Sequence, residues 1–363
     1  AQHHSQCYRS PTGDDCWRHR LGFIAVHLDV FSHLCTPLNQ GRGRAVIGCH
    51  CFIPKYSHPM FTLQLTDTHE MIRQTARDFA RDEVAPTAIE RDKSGTFPHD
   101  IVKKMGELGF MGMMVSPEWG GSGLDALSYV LAMEEISAVD ASVGVVMSVN
   151  NSLVCWGLET YATDAQKERW LRPLATGEVH GAFCLSEPEA GSDATQQHTV
   201  AERGDGGWIL NGTKNWITNG TTASTYLVMA QTNRELRHRG ITCFIIPKDT
   251  PGFEPGLKED KLGIRSSDTC SIGLTNVFVP DDQVLGEVGQ GFKIAMESLN
   301  GGRIGIAAQA LGIAKGAYEA ALVYSTQRKA FGKPIADLQA IQMKIAEMAT
   351  SVEAARWMVY RAA

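Results

Sequence analysis

Ser186, Ser192, Trp216 and Thr218, with Arg303 and Arg328 further on, are the side chains whose types and spacing point to chemistry. Phe183-Cys184-Leu185-Ser186 is an apolar run that ends in a hydroxyl, and Pro188 follows to stop a strand and turn the chain into a loop. Ala190-Gly191-Ser192-Asp193 reads as a tight turn, whose small residues let main-chain N–H groups approach an anion such as a pyrophosphate. Asn211-Gly212 is the expected hairpin turn, Thr213 to Thr218 the returning strand, and Asn219-Gly220 a second turn. Trp216 and Thr218 are two apart, so plain strand alternation puts both on one face. An indole plane beside a hydroxyl suits the edge of a flat redox ring.

Taken singly, each group has a plainer reading. A strand Trp is most often a core residue, and a lone Ser or Thr usually satisfies a neighbouring backbone group. Arg303 is the one charge between Ser298 and Leu311, and on spacing alone it is as well a surface Arg on an amphipathic helix. Gln327-Arg328-Lys329-Ala330-Phe331-Gly332-Lys333 reads either as a phosphate grip with an aromatic beside it or as a solvated helix end with a core Phe.

The combination resembles the acyl-CoA dehydrogenase family. Cys184, Leu185, Ser186, Glu187, Ala190, Gly191, Ser192 and Asp193 match its small-Leu-Ser-Glu-x-x-small-Gly-Ser-Asp pattern, and Trp216-Ile217-Thr218 its Trp-Ile-Thr triplet; Gln196 stands where a small residue is usual. The resemblance runs from about Met60 to Ala363 and is closest to short-chain (butyryl-type) and short/branched-chain members, as in Asn150-Asn151-Ser152 and Arg303-Ile304-Gly305-Ile306-Ala307. It implies FAD-dependent desaturation of a short acyl-CoA between Cα and Cβ, with electrons passed to an electron-transfer flavoprotein. It implies FAD contacts at Phe183, Leu185, Ser186, Ser192, Trp216, Ile217 and Thr218, and at Arg328, Phe331 and Gln339 reaching the FAD of a neighbouring subunit in a homotetramer. Acyl-CoA contacts are implied at Ser192, Asn300 and Arg303, with Asn300 standing where Asp is common.

The α-proton must go to a carboxylate, and none is found at a matching position. Some relatives carry it immediately before the Arg, where this chain has Gly302; in short-chain members it lies in a later segment, beyond Ala363. Glu187 is needed by its loop and Glu297 is out of register. The expectation is therefore a C-terminally incomplete, inactive chain with no catalytic residue of its own. An acyl-CoA oxidase and a non-catalytic acyl-CoA or flavin binder remain open alternatives.

The elements that position these groups fall into an α+β order: helices over residues 60–179, a small antiparallel barrel or sandwich over 180–286, and the first helices of a bundle over 287–363. Asp67 and Glu70 stand in capping-box spacing, and Ile72, Ala76, Phe79, Ala80 and Val84 share one helical face. Pro98 starts a helix through Leu108, and Leu124 to Ile136 forms another. Ala141 to Leu158 is long and apolar enough to be buried, and a Thr163–Gln166 capping box opens a helix ending before Pro173. Short β-rich runs such as Tyr226-Leu227-Val228-Met229 and Ile241 to Ile246 follow. Gly291 to Gln327 is one helix crossed by glycines at 301, 302, 305, 312 and 316, which implies close packing, and 336–363 is the last helix.

Composition sets the outer bounds. A formal net charge of −6 over 363 residues provides no basic field for nucleic acid. No apolar run of about 18 residues is expected to span a membrane. The nine cysteines lack metal spacing, so no metal site is expected and they read as free thiols of a reducing compartment, bacterial cytoplasm or mitochondrial matrix. Residues 1–59 hold seven of the twelve His and five of the nine Cys without a sustained period, and are expected to be an appended, disordered or non-native leader.

Overall fold

The computed structural model describes residues 64–363. The expectations for residues 1–59 and their five cysteines lie outside the described residues.

Helices α1 (Asp67–Phe79), α2 (Ala85–Ser94), α3 (His99–Glu107), α4 (Ala126–Val139), α5 (Ala141–Ser148), α6 (Trp156–Tyr161), α7 (Asp164–Gln166) and α8 (Arg172–Ala175) come first. The α1 cap lies one residue earlier than the Asp67–Glu70 spacing predicts. Thr66 Oγ1 accepts from His69 N, and Thr66 N donates to His69 Nδ1, so an imidazole fills the acceptor role usually taken by Glu or Gln. Wide π-type turns at Ala80–Val84, Val149–Cys155 and Lys167–Leu171 join consecutive α-helical pieces. The last of these carries the helix through Pro173 to Ala175 instead of ending it, because a widened turn relieves the clash between a proline ring and the preceding turn. The Thr163–Gln166 capping box is present.

Ala141–Tyr161 is a continuous helical run long and apolar enough to cross a membrane, contrary to the expectation that no such run exists. Its most apolar window is 78% buried within the fold, which makes it a core helix. Asn150 and Asn151 anchor it. Asn151 Oδ1 accepts from Met113 N while its amide donates to Phe110 O and Met147 O. Asn150 donates to Met111 O and Leu174 O and accepts from Gly181 N, so one amide fixes a loop, a helix end and the first strand.

The sheet contains β1 (Gly181–Cys184), β2 (Val200–Gly204), β3 (Gly207–Thr218), β4 (Thr225–Gln231), β5 (Ile241–Pro247), β6 (Phe253–Lys258), β7 (Thr269–Pro280) and β8 (Val284–Leu285). Their order is β6-β7-β3-β2-β4-β5-β8, with β1 on β4. It is mixed, not wholly antiparallel as expected: β1 and β2 both pair parallel to β4, because they follow one another along it, Cys184 opposite Val228 and Val200 opposite Gln231, with the 185–199 loop leaving and rejoining that line. Asn211-Gly212 is not a hairpin turn either. β3 runs straight through it, opposite a bulge in β7 where Thr275 and Asn276 face the single Asn211; a Cβ on Gly212 would stand 2.5 Å from Thr199 Oγ1, and the β2–β3 turn lies at Asp205-Gly206.

After the sheet, α9 (Gly291–Gln327) returns across the N-terminal helices, followed by the hairpin β9 (Lys329–Ala330) and β10 (Lys333–Pro334) and by α10 (Gln339–Ala362). The α9 glycines explain the closeness. A Cβ at Gly312 would sit 2.5 Å from Glu134 O, and one at Gly305 or Gly316 would collide with Tyr129 Oη or Ala138 O. Two buried carboxylates on α4 lock both last helices. Glu135 accepts from Arg77 (2.8 Å) and Lys315 (2.6 Å), and Glu134 from Arg356 (3.0 Å) and the Tyr360 hydroxyl (2.6 Å).

Candidate active site

β1 leads into the loop that carries Ser186 and Ser192, and both its ends are fixed. Gly181 packs where a Cβ would meet Val154 Cγ1 at 2.6 Å, and its carbonyl accepts from Asn219 Nδ2 at 2.9 Å. At the far end Leu185 O accepts from Lys214 Nζ at 3.3 Å, and Ser186 O from Asn215 N at 2.9 Å. The loop is therefore stitched to β3 immediately before Trp216.

The strongest stitch is an ion pair. Lys214 Nζ lies 2.7 Å from Glu187 Oε1, with the two side chains 0% and 2% exposed. Glu187 also accepts from His198 N (2.6 Å) and Thr199 N (3.2 Å), and Lys214 donates to Gln197 Oε1 (3.3 Å). One carboxylate thus closes the whole 187–199 loop upon itself. Burial pushes the Lys214 ammonium below its ordinary range, partly offset by Glu187. Burial alone would raise the Glu187 carboxyl, but Lys214 and the backbone donors hold it below the usual carboxylate range.

The tight turn comes three residues earlier than the sequence suggests. Glu187 and Ala190 exchange both backbone hydrogen bonds around Pro188-Glu189, which leaves Gly191, Ser192 and Asp193 open and exposed. Nothing lies within 4 Å of a Cβ built on Gly191, so a ligand has room to approach the main chain there.

Trp216 adopts φ +60° and is 63% exposed, an unusual position for an indole inside a strand. Trp216 and Thr218 both lie outside the core, on the one face that their spacing predicts. The β3–β7 register shifts between Lys214 and Ile217, so both of those face inward while Trp216 and the partly exposed Thr218 remain outside. Phe183, Leu185 and Ile217, expected to touch the cofactor, are core residues at 8%, 8% and 2% exposure. What stays open is a shelf of one indole, the Ser186 and Thr218 hydroxyls and the Gly191-Ser192 backbone. Its flat aromatic surface, flanking hydroxyls and side-chain-free approach fit an isoalloxazine ring and its phosphate arm.

Asn300 and Arg303 are exposed on α9 and joined by a hydrogen bond from Arg303 Nη1 to Asn300 Oδ1. Gly302 beside them faces the opposite way, 2.8 Å from Leu153 Cδ2 as measured from an added Cβ. Arg328, Phe331 and Gln339 form a separate exposed corner; Phe331 is 91% exposed, and among the described residues no hydrogen bond or ring contact links the three to the shelf. Of the two acids weighed as bases, Glu187 is consumed by Lys214 and Glu297 accepts from the Tyr161 hydroxyl.

Sequence reading missed Lys214 and His180. Lys214 follows Trp208 and Leu210 in the inward register of β3, so a charged residue at an inward position was the available signal. His180 stacks on Phe97 at 5.4 Å and meets Thr222 Oγ1 at 3.0 Å; burial, with His99 nearby, lowers its pKa to about 4. Cys155, Cys184, Cys243 and Cys270 are free and buried, and no metal-binding cluster occurs among the described residues.

Three family profiles match the chain: acyl-CoA dehydrogenase, N-terminal domain (66–178), middle domain (182–277) and C-terminal domain (289–363). The short-chain specific acyl-CoA dehydrogenase, mitochondrial, of Bos taurus is 51% identical over 302 residues, covering 83% of this chain and 73% of that protein. Butyryl-CoA dehydrogenase from Megasphaera elsdenii superposes with a TM-score of 0.81 at 44% identity, covering 83% of this chain and 80% of that one. A chain from the structure of the electron transferring flavoprotein of Acidaminococcus fermentans gives a TM-score of 0.82 at 47% identity, covering 83% and 79%.

Proposed function

The chain belongs to the acyl-CoA dehydrogenase family of FAD-dependent oxidoreductases, and from that premise we propose that it handles a short-chain, butyryl-like acyl-CoA and passes electrons to an electron-transfer flavoprotein. The observation that carries this reading is the shelf at Trp216. An exposed indole in a left-handed conformation, bracketed by Ser186 and Thr218 and held by the Lys214–Glu187 pair, has no role in the core. FAD bound there supplies the acceptor for the hydride that leaves the substrate Cβ.

The chain's own residues bind and orient. Ser186 and Thr218 would offer hydroxyl donors to the ring, Ser192, exposed just past the Glu187–Ala190 turn, would offer another, and Asn300 with Arg303 would present an amide and a guanidinium to the thioester arm. Arg328, Phe331 and Gln339 complete a neighbouring site in a homotetramer, which accounts for their exposure here. Bacterial cytoplasm and mitochondrial matrix both suit the relatives' settings.

Proton removal from Cα needs a carboxylate within hydrogen-bond reach. The commitment of Glu187 to Lys214 and of Glu297 to Tyr161 favours a second reading, in which residues 64–363 bind flavin and acyl-CoA without turning them over. Anaerobic addition of butyryl-CoA to the flavin-loaded protein decides between them. Bleaching of the flavin absorbance supports the dehydrogenase; a perturbed but unbleached spectrum supports the binder, and no spectral response defeats both.

A further inference from the structure

Asp268 stands immediately before β7 and is 1% exposed. Its Oδ2 accepts from Thr221 N (2.6 Å), Thr222 N (3.0 Å) and Thr222 Oγ1 (3.2 Å), while its Oδ1 is buried with no hydrogen-bond partner among the described residues. The ammonium groups around it are spent on main-chain carbonyls: Lys248 on Thr221 O (2.6 Å), Lys261 on Ser267 O (2.6 Å), and Lys258 on Gly95 O and Arg265 O. Among the described residues no cation forms an ion pair with this carboxylate.

His180 does not balance the charge either. Thr222 gives its one hydroxyl proton to Asp268, so His180 Nε2, 3.0 Å from that hydroxyl, is the N–H that donates to it. The donor chain from His180 through Thr222 ends on the carboxylate. Burial and His99, helped by Lys248, hold the imidazole pKa at about 4 against the pull of Asp268, so the ring is neutral near pH 7.

A buried charge without a partner is costly, and groups held in this way gather at functional sites. Here the adjoining site is the shelf at Trp216. Thr218 pairs with Thr269, and the ladder continues one step further, where Asn219 N donates to Asp268 O at 2.8 Å. Asp268 is therefore one strand spacing across and one residue along from the rim hydroxyl, about 6 Å between main chains. The turn it gathers, from Asn219 to Thr222, directly continues Trp216-Ile217-Thr218, and Asn219 enters it at φ +63°.

A hydride leaving the substrate Cβ carries two electrons and one proton to the flavin, so the ring gains one net negative charge. A fixed anion in a water-free wall opposes that charge, because little solvent screens it. We infer that Asp268 tunes the flavin on the Trp216 shelf, holding its reduction potential below the value that a neutral residue at 268 would give, while Oδ2 secures the turn that ends β3. The inference rests on the reading that flavin lies at that shelf.

Asp268→Asn keeps an acceptor for Thr221 N and Thr222 N and removes the charge. Flavin content and melting temperature of the loaded parent and variant serve as folding controls. Anaerobic redox titration against reference dyes should give the variant a more positive midpoint potential. The difference should persist from about 0.05 to about 0.5 M salt, since the charge is buried. An unchanged potential in a folded variant, or a difference that disappears at high salt, overturns the inference. Should Asp268→Asn fail to hold flavin, Asp268→Ser, whose hydroxyl can accept from the same donors, carries the same comparison. Thr218→Ala tests the shelf separately and should alter flavin affinity or the flavin spectrum. If it alters neither, the shelf falls and the inference with it; if it alters either while Asp268→Asn leaves the potential unchanged, the tuning role alone is lost.

Discussion

Lys214 and Glu187 form a salt bridge of 2.7 Å in which neither side chain is accessible to solvent, and that bridge ties the middle of β3 to the loop bearing Ser186 and Ser192. Removing one partner leaves the other charged in a site that cannot hydrate it, so Lys214→Met should cost about 3–5 kcal/mol of stability. Thermal melting should fall accordingly and flavin should be lost with it. The double variant Lys214→Met with Glu187→Gln should recover part of the loss, and a single variant that melts like the parent defeats the account.

His180 should make the fold acid-sensitive in a window of its own. Its folded pKa of about 4 lies below the ordinary 6.5, so the unfolded chain takes up the proton first as pH falls. Stability contributed by the neutral ring is present above pH 6.5 and declines as pH drops toward 4, by about 3 kcal/mol in total. Denaturant midpoints between about pH 7 and pH 4.5 should show this slope, and His180→Gln should flatten it. The carboxylate Glu187, being lowered, acts at more acidic pH and leaves the slope in this range to His180.

The glycines of α9 should separate into two kinds. Gly305→Ala drives a methyl into Tyr129 Oη and within 2.9 Å of Ser148 Oγ, and should destabilise by about 1–3 kcal/mol. Gly301→Ala meets only Ser152 O at 3.9 Å and should be neutral or stabilise by up to about 1 kcal/mol through helix propensity. Paired unfolding curves check the contrast; equal effects at both positions would show that propensity, not packing, governs this helix.

Arg303 should matter to substrate and not to the fold. Its guanidinium is exposed and its described partner is Asn300 on the same helix. Arg303→Ala should therefore change stability by less than about 0.5 kcal/mol and melting by no more than about 2 °C, while weakening butyryl-CoA about tenfold. Spectral titration of the flavin-loaded protein measures the affinity. A stable variant with unaltered affinity would take Arg303 out of the site.

Long periodic helices and the signature around Ser186 and Trp216 were readable from residue order, because 3.6-residue periodicity and a contiguous motif are local properties. The Gly291–Gln327 helix and the Thr163–Gln166 cap lie where their patterns put them. Local chemistry misled where a tertiary partner intervened. Asn211-Gly212 has hairpin composition, yet β7 pairs with β3 on both sides of the dipeptide and holds it within the strand, the extra residue of the bulge there falling in β7. Pro173 has stop-signal composition, yet a widened turn carries the helix past it.

By itself the sequence determined the family, the α+β order and which residues belong to the redox loop, since these are carried by short stretches of adjacent positions. Only the tertiary structure decided which of those residues face outward. A one-residue bulge before Ile217 reverses the alternation and leaves Trp216 exposed, while Phe183, Leu185 and Ile217 turn into the core. Tertiary structure also brought Lys214 to Glu187 across 27 residues and set two arginines of the β4–β5 connection opposite the loop beyond Ser192. Pairings of that kind depend on how the sheet closes, and sheet closure is fixed by contacts between positions that no local pattern connects.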